Sequence, residues 1–267
     1  QQFVSKSDAG EVNTIRAEVL QQARGKAKGD SGIYTMTVPT GGGKTLSSLA
    51  FALEHAVANN KSRIIYAIPY TSIIEQTAHV FSTLFEPCGE VVLEHHSNVE
   101  PTDNKETTST RLAAENWDMP IIVTTTVQLF ESLYAAKPSR CRKLHNLANS
   151  VIVLDETQLL PPGQLNPIRH VIQLLAKHYG VTFLLTTATP TPSSGFDDAF
   201  GKVLLQNIQT SEVVKQPEQY YQQLRRVAYT LPADFHMPQS WSEIAQQLQQ
   251  HSTVLAVVTI VTNKRWL

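Results

Sequence analysis

Apolar, β-branched runs at 32–37, 63–68, 91–93, 120–124, 150–154 and 181–185 alternate with stretches whose apolar residues recur at helical spacing. Val12, Ile15, Val19 and Leu20 predict a first helix, with Ser7 or Asp8 as its cap. Leu46, Leu49, Ala50 and Leu53 predict a second, over 46–55. Ile73, Ile74, Thr77, Val80 and Phe81 form the apolar face of a third, which the turn Pro69-Tyr70-Thr71-Ser72 is placed to cap. Further helices are expected over 111–116, 127–135 and 167–178, and a polar loop over 97–109. From 191 to 223 the pattern blurs; beyond it, 226–229 and 254–261 read as strands and 241–250 as a helix.

Strands that are apolar on both faces, alternating with amphipathic helices, predict an α/β fold: a parallel sheet covered by helices on each side. Ligands of such sheets bind at the carboxyl ends of the strands. Three polar clusters lie at strand ends of this kind: 38–45, Asp155-Glu156 and Thr187-Ala188-Thr189.

Val38-Pro39-Thr40-Gly41-Gly42-Gly43-Lys44-Thr45 joins a strand to a helix, the setting of a phosphate-binding loop. Glycines let backbone N–H groups turn toward phosphate oxygens, and the helix N-terminus adds a positive dipole. Thr40, Gly41, Gly42, Gly43, Lys44 and Thr45 are thus the expected binders of ATP. Lys44 is the cation for the β- and γ-phosphates, and Thr45 offers a hydroxyl to Mg²⁺. The strict pattern has Gly six residues before the Lys, where this chain has Val38. Asp155 is the second expected Mg²⁺ ligand, and Glu156 the group that orients or deprotonates the attacking water. An acidic pair that merely caps a helix is the plainer alternative, and the adjacent phosphate loop argues against it.

Composition narrows the partners. Lys and Arg total 22 against 23 Asp and Glu, a net charge of −1, so any nucleic-acid contact has to use a local patch. No apolar run approaches the ~20 residues of a membrane span, and 267 residues, 42% of them hydrophobic, suffice for one large α/β domain, or for one domain and part of another. Cys88 and Cys141 stand far apart, as free thiols of a reducing, cytoplasmic setting would.

The order of the clusters resembles that of superfamily 2 helicases of the DExD/H type. The segment 38–45 is similar to motif I of that group, in which a small or apolar residue replaces the first Gly. Asp155-Glu156-Thr157-Gln158 is similar to motif II, with Gln158 where His is usual; Thr187-Ala188-Thr189 is similar to motif III, which couples the nucleotide to movement. Pro69-Tyr70-Thr71-Ser72 with Gln76 resembles motif Ia, and Thr124-Thr125-Thr126 motif Ib. The resemblance implies that Pro69, Thr71, Ser72, Thr125 and Thr126 touch the sugar-phosphate backbone of a single strand, a task for hydroxyls and helix N-termini. It also places Asn13 and Arg16 where related helicases contact adenine, with a solvent-facing pair as an equally compatible reading.

Longer phrases, among them TVPTGGGKTLSSLAFALEHA, IIYAIPYTSIIEQTAHVF, LEHHSN, KLHNLANSVIVLDETQLLPP and LLTTATPTP, resemble the CRISPR-associated type I interference helicase-nuclease family, with I-C the nearest branch. The resemblance covers about 11–192 well. It implies a RecA-like ATP-binding lobe over 1–212, with a linker and the start of a second lobe over 213–267. It further implies single-stranded DNA as partner, with RNA as the alternative, and a CRISPR surveillance complex in the full-length context. The family's nuclease is a His-Asp domain, and no His-Asp dipeptide occurs here; the pair His95-His96 reads as structural. The family's motifs V and VI, with their arginines, would lie past Leu267. Two other readings stay open: a nucleotide- and nucleic-acid-binding module without turnover of its own, and a P-loop enzyme such as a kinase with a small-molecule substrate.

Overall fold

The computed structural model describes residues 10–96, 114–135, 141–189, 204–205, 207–225, 240–250 and 252–256. Seven strands form one sheet: β1 (Ile33–Thr37), β2 (Arg63–Ile68), β3 (Val92–His95), β4 (Ile121–Thr125), β5 (Ser150–Leu154), β6 (Thr182–Thr187) and β7 (Thr210–Glu212). Their order is β3-β4-β2-β5-β6-β1-β7, and every pairing is parallel. All carboxyl ends therefore lie along one edge of the sheet. The helices are α1 (Glu11–Lys26), α2 (Lys44–Ala58), α3 (Thr71–Phe85), α4 (Thr126–Leu133), α5 (Leu144–Leu147), α6 (Leu165–His178), α7 (Pro217–Gln223) and α8 (Trp241–Leu248).

Period-2 alternation sorts the strand residues between two cores. Ile64, Tyr66, Ile68, Val151, Val153 and Leu184 join the buried faces of α1, α2, α3 and α7. Ile65, Ala67, Ile152, Leu154, Phe183 and Leu185 join those of α4, α5 and α6. Both sheet faces are covered, which is why these strands are apolar at every position.

Residues 1–225 form one compact unit and 226–267 another. The first extends past Glu212 because β7 pairs with β1 and because Val213, Val214, Tyr220 and Leu224 are buried in its core. In the second, α8 carries a capping box, with the Ser240 hydroxyl and the Glu243 carboxylate each accepting from the other's backbone N–H.

Several expectations change. Helix α3 has Tyr70 at its N-cap and no side-chain cap bond, so Thr71 and Ser72 lie inside its first turn and do not cap it. Strand β7 was hidden in the blurred region, and residues 254–256 are not strand. Residues 114–116 are helical as expected; the proposed caps Ser7 and Asp8, the loop 97–109 and the strand 226–229 lie outside the described residues, as does the remainder of 254–261.

Candidate active site

The strand order sets two distant parts of the sequence beside each other. β6 lies between β1 and β5, so the loop after β1 and the acidic pair after β5 flank the end of β6. A cleft of about 570 Å³ opens there, lined by 39–47 in part, by Asp155, Glu156 and Ala188, and by Arg16 of α1.

The loop's shape depends on its glycines. Gly41 and Gly43 have φ of 88° and 85°, in the left-handed region that side chains disfavour. Gly42 is held differently: a Cβ there would stand 2.7 Å from Val38 Cγ1. Val38 is fully buried, and its N–H donates to the Thr187 carbonyl at 3.1 Å. The departure at Val38 is thus a packing solution, with an isopropyl group filling the space against Gly42. The Gly42 N–H donates back to the Pro39 carbonyl at 2.9 Å, closing the turn that delivers Lys44 to the start of α2.

Lys44 reaches across the cleft. Its ammonium lies 3.0 Å from Asp155 Oδ1 and is also paired with Glu156 Oε1. Asp155 Oδ1 accepts from the Thr186 hydroxyl and, at 3.0 Å, from the Glu156 N–H. These contacts all fall on one carboxylate oxygen, leaving Oδ2 as the atom available to a further cation. Glu156 stands in the left-handed region, with φ 49° and ψ 50°. For a residue with a Cβ that conformation costs on the order of 1 kcal/mol and marks a position held by its surroundings.

Burial would raise the Glu156 pKa, but hydrogen bonds from Lys44 and Gln158, the Lys44 charge and the Ala188 N–H outweigh it, holding the carboxyl below the usual range. Gln158 Nε2 donates to Glu156 Oε2, and its Oε1 accepts from the Thr187 hydroxyl at 2.8 Å. Thr187 Oγ1 in turn accepts from the Thr189 N–H at 3.2 Å. The structure so brings together Lys44, Asp155, Glu156, Gln158 and Thr187-Ala188-Thr189 in one hydrogen-bonded set. Behind the loop, the Tyr66 hydroxyl contacts Ser48 Oγ at 2.9 Å. Burial, then the Asp155 charge, keeps that phenol protonated.

Arg16 lies on the cleft wall. Its Nε donates to the Gly41 carbonyl at 2.9 Å, bracing the loop, and Nη1 donates to Asn13 Oδ1 at 3.3 Å.

The residues assigned to a nucleic-acid track fall at neighbouring strand ends. Ile68 and Thr125 are register partners, so Pro69, Thr71 and Ser72 follow β2 beside Thr125 and Thr126 at the end of β4. Ser72 is exposed and Thr71 half-exposed. Thr125 is buried, and its hydroxyl caps α4 by accepting from the Gln128 N–H at 2.9 Å. Thr126 is buried as well.

Helix α7 was not foreseen at the site. The Tyr221 hydroxyl donates to the Ala188 carbonyl at 2.7 Å, and Leu224 would touch a Cβ at Gly42 at 3.6 Å. The signal was faint: two tyrosines after a proline, in a polar stretch with no apolar period. His95 is structural, as read from its neighbours, with Lys143 Nζ donating to its Nε2 at 3.1 Å and Trp117 against its ring.

A glycine loop at a helix start, facing an Asp-Glu pair across a parallel sheet, defines a RecA-like P-loop lobe. The model of the DEAD/DEAH box helicase family matches residues 14–195, and the chain belongs to that family. The chain is similar to the CRISPR-associated nuclease/helicase Cas3 of Haloferax volcanii, 34% identical over 180 residues that cover 59% of this chain. It spans 19% of that relative's length. Among solved structures, T. fusca Cas3 with ADP matches with a TM-score of 0.58 at 20% identity, over 76% of this chain and 23% of that one. The helicase MrfA bound to DNA matches with a TM-score of 0.52 at 19% identity, over 75% of this chain and 27% of that one. These structural likenesses concern the fold.

Proposed function

We propose that this chain is the ATP-binding lobe of a DNA helicase or translocase of CRISPR antiviral defence, and that ATP hydrolysis at its cleft is coupled to movement on single-stranded DNA. The observation that carries the reading is the placement of Lys44 between Asp155 and Glu156 at the mouth of a glycine loop.

In this reading the loop N–H groups and Lys44 Nζ donate to phosphate oxygens, so Lys44 exchanges its carboxylate partners for phosphate. The free oxygen of Asp155 and the Thr45 hydroxyl are the hard oxygen donors that suit Mg²⁺. When bound, that ion neutralises charge on the β- and γ-phosphates. Glu156, ionised and aimed by Gln158 and Ala188, accepts a hydrogen bond from the attacking water and orients it. Thr187 and Thr189 link Gln158 to the end of β6, so a change at Glu156 is felt in the strand.

Exposed Ser72, with Pro69 and Thr71, and the first turn of α4 at Thr125 and Thr126 are the proposed contacts to a single strand. Thr125 caps its helix by accepting, so its O–H hydrogen and the backbone N–H groups at that helix start are the donors proposed for phosphate. Contact would be to phosphate, and therefore steeply salt-dependent. A CRISPR surveillance complex is the proposed partner in the full-length context.

The test is Mg·ATP binding by the purified chain, followed by ATP hydrolysis with and without single-stranded DNA at several salt concentrations. Nucleotide binding, with hydrolysis stimulated by DNA and less so as salt rises, supports the reading. ATP affinity unchanged by loss of Lys44, or turnover indifferent to DNA, contradicts it.

A further inference from the structure

A short chain of bonds runs from α7 into the acidic pair. The Tyr221 hydroxyl donates to the Ala188 carbonyl at 2.7 Å. The N–H of that same peptide unit, which belongs to Thr189, donates to Thr187 Oγ1 at 3.2 Å, Thr187 donates to Gln158 Oε1 at 2.8 Å, and Gln158 Nε2 donates to Glu156, which holds Lys44. Burial, followed by the negative charges of Glu156, Glu212 and Glu218, raises the Tyr221 pKa, so the phenol keeps its proton and remains a donor. Neighbouring residues anchor the helix: Tyr220 donates to Glu18 Oε2 at 3.1 Å and accepts from Gln22 Nε2 at 2.8 Å, while Leu224 lies against Gly42. The chain leaves α7 through Leu224 and Arg225 and enters the second unit at Arg226.

We propose that Tyr221 is a positioning residue for ATP hydrolysis: its hydroxyl fixes the Ala188–Thr189 peptide, whose N–H holds Thr187, and Thr187 holds the Gln158 amide that aims the Glu156 carboxylate. α7 is then the route by which displacement of the chain beyond Arg225 reaches the water-orienting group. The inference rests on the proposed role of Glu156. The Ala188 carbonyl and the Thr189 N–H belong to one planar peptide unit and turn together. Freeing the carbonyl therefore loosens the N–H that holds Thr187, and with it the Gln158 amide that aims Glu156. The effect belongs to hydrolysis and not to nucleotide affinity, because Lys44 and the loop glycines hold the phosphates.

The experiment compares Tyr221→Phe with Tyr220→Phe in the 267-residue chain. Each variant loses one hydroxyl and keeps its ring, but only the first touches Ala188. Three quantities are read: the Kd of a fluorescent ATP analogue with Mg²⁺, the single-turnover hydrolysis rate, and the backbone amide NMR resonance of Thr189 without nucleotide. Tyr221→Phe is expected to keep Kd within about twofold, to slow hydrolysis roughly three- to tenfold and to shift the Thr189 amide. Tyr220→Phe is expected to do none of these. Equal slowing in both variants, affinity lost in parallel with rate, or a Tyr221→Phe chain like wild type in rate and amide each overturns the inference. A wild-type chain that binds no ATP instead sinks the proposed function, while the amide still reports whether Tyr221 holds Ala188.

Discussion

Lys44 and Glu156, 112 positions apart in sequence, form an ion pair at the mouth of the cleft, with Asp155 Oδ1 also 3.0 Å from the ammonium. The pair keeps the lysine extended across the site and keeps the glutamate ionised. It also makes nucleotide binding a competition, since phosphate must replace two carboxylates around one cation.

Replacing that cation tests the competition directly. Lys44→Ala is expected to weaken Mg·ATP binding roughly 10- to 100-fold, the range for losing charge-assisted hydrogen bonds. Lys61→Ala is the control: its ammonium donates to the Gly180 carbonyl, and Lys61 precedes β2 at the opposite edge of the sheet. Equilibrium binding of a labelled nucleotide separates the two. Equal affinity in both variants would dismiss the phosphate-loop assignment.

Glu156→Gln separates water activation from phosphate binding. The amide keeps one accepting oxygen, enough for Lys44, but cannot take up a proton. Hydrolysis should fall by about 10²–10⁴, the usual share of a positioned general base, with ATP affinity unchanged or slightly higher. A fall in affinity matching the fall in rate would make Glu156 a structural or metal-holding group instead.

Most of this site was legible because its residues must satisfy two requirements at once. Gly41, Gly43, Lys44 and Thr45 had to follow a buried strand and open a helix, and both halves of that context are visible in the chain. Asp155 was readable for the same reason at the end of β5. What escaped was held by single contacts of polar side chains. Strand β7 is Thr-Ser-Glu, an edge strand with little burial, stabilised by the Glu212 carboxylate accepting from the Thr35 hydroxyl at 2.7 Å and the Thr37 N–H at 3.0 Å. No periodicity announces such a strand. Tyr221 escaped likewise, since a hydroxyl aimed at one carbonyl leaves no pattern. Thr125 shows the converse: its buried hydroxyl is also a helix cap, a local role that the order of the motifs alone did not reveal.

The buried imidazole of His95 gives the fold an acid sensitivity that can be measured. Burial, then the Lys143 cation, lowers its pKa from 6.5 to about 4. Protonation is thus harder in the folded chain than in the unfolded one. The resulting stability is fully present above pH 6.5, falls as pH drops from there toward 4, and changes no further below that. The shift sets an upper bound of about 3 kcal/mol. Urea midpoints between pH 7.5 and 4 should therefore decline more in wild type than in His95→Gln, which accepts from Lys143 without titrating. Parallel profiles would show that the imidazole titrates alike in the folded and unfolded chains.

The cations of the cleft bear on how fast the chain itself can turn over ATP. Hydrolysis spreads negative charge over the γ-oxygens, and an arginine reaching those oxygens contributes ~10³–10⁵ in rate in comparable P-loop enzymes. Among the described residues that line the cleft, the cationic side chains are Arg16 and Lys44. Arg16 already donates from Nε to the Gly41 carbonyl and from Nη1 to Asn13, so it braces the loop from the side of α1. Lys44 is therefore the cation placed to follow the developing charge. The 267-residue chain is expected to bind Mg·ATP yet hydrolyse it slowly, at well under one turnover per minute, with modest stimulation by single-stranded DNA. Single-turnover hydrolysis on the purified chain measures this, with Lys44→Ala as the blank. Rapid turnover that co-elutes with the chain on gel filtration and vanishes in Lys44→Ala would mean that a second cation reaches the γ-oxygens, and Arg16→Ala would then show whether it is the arginine on the cleft wall.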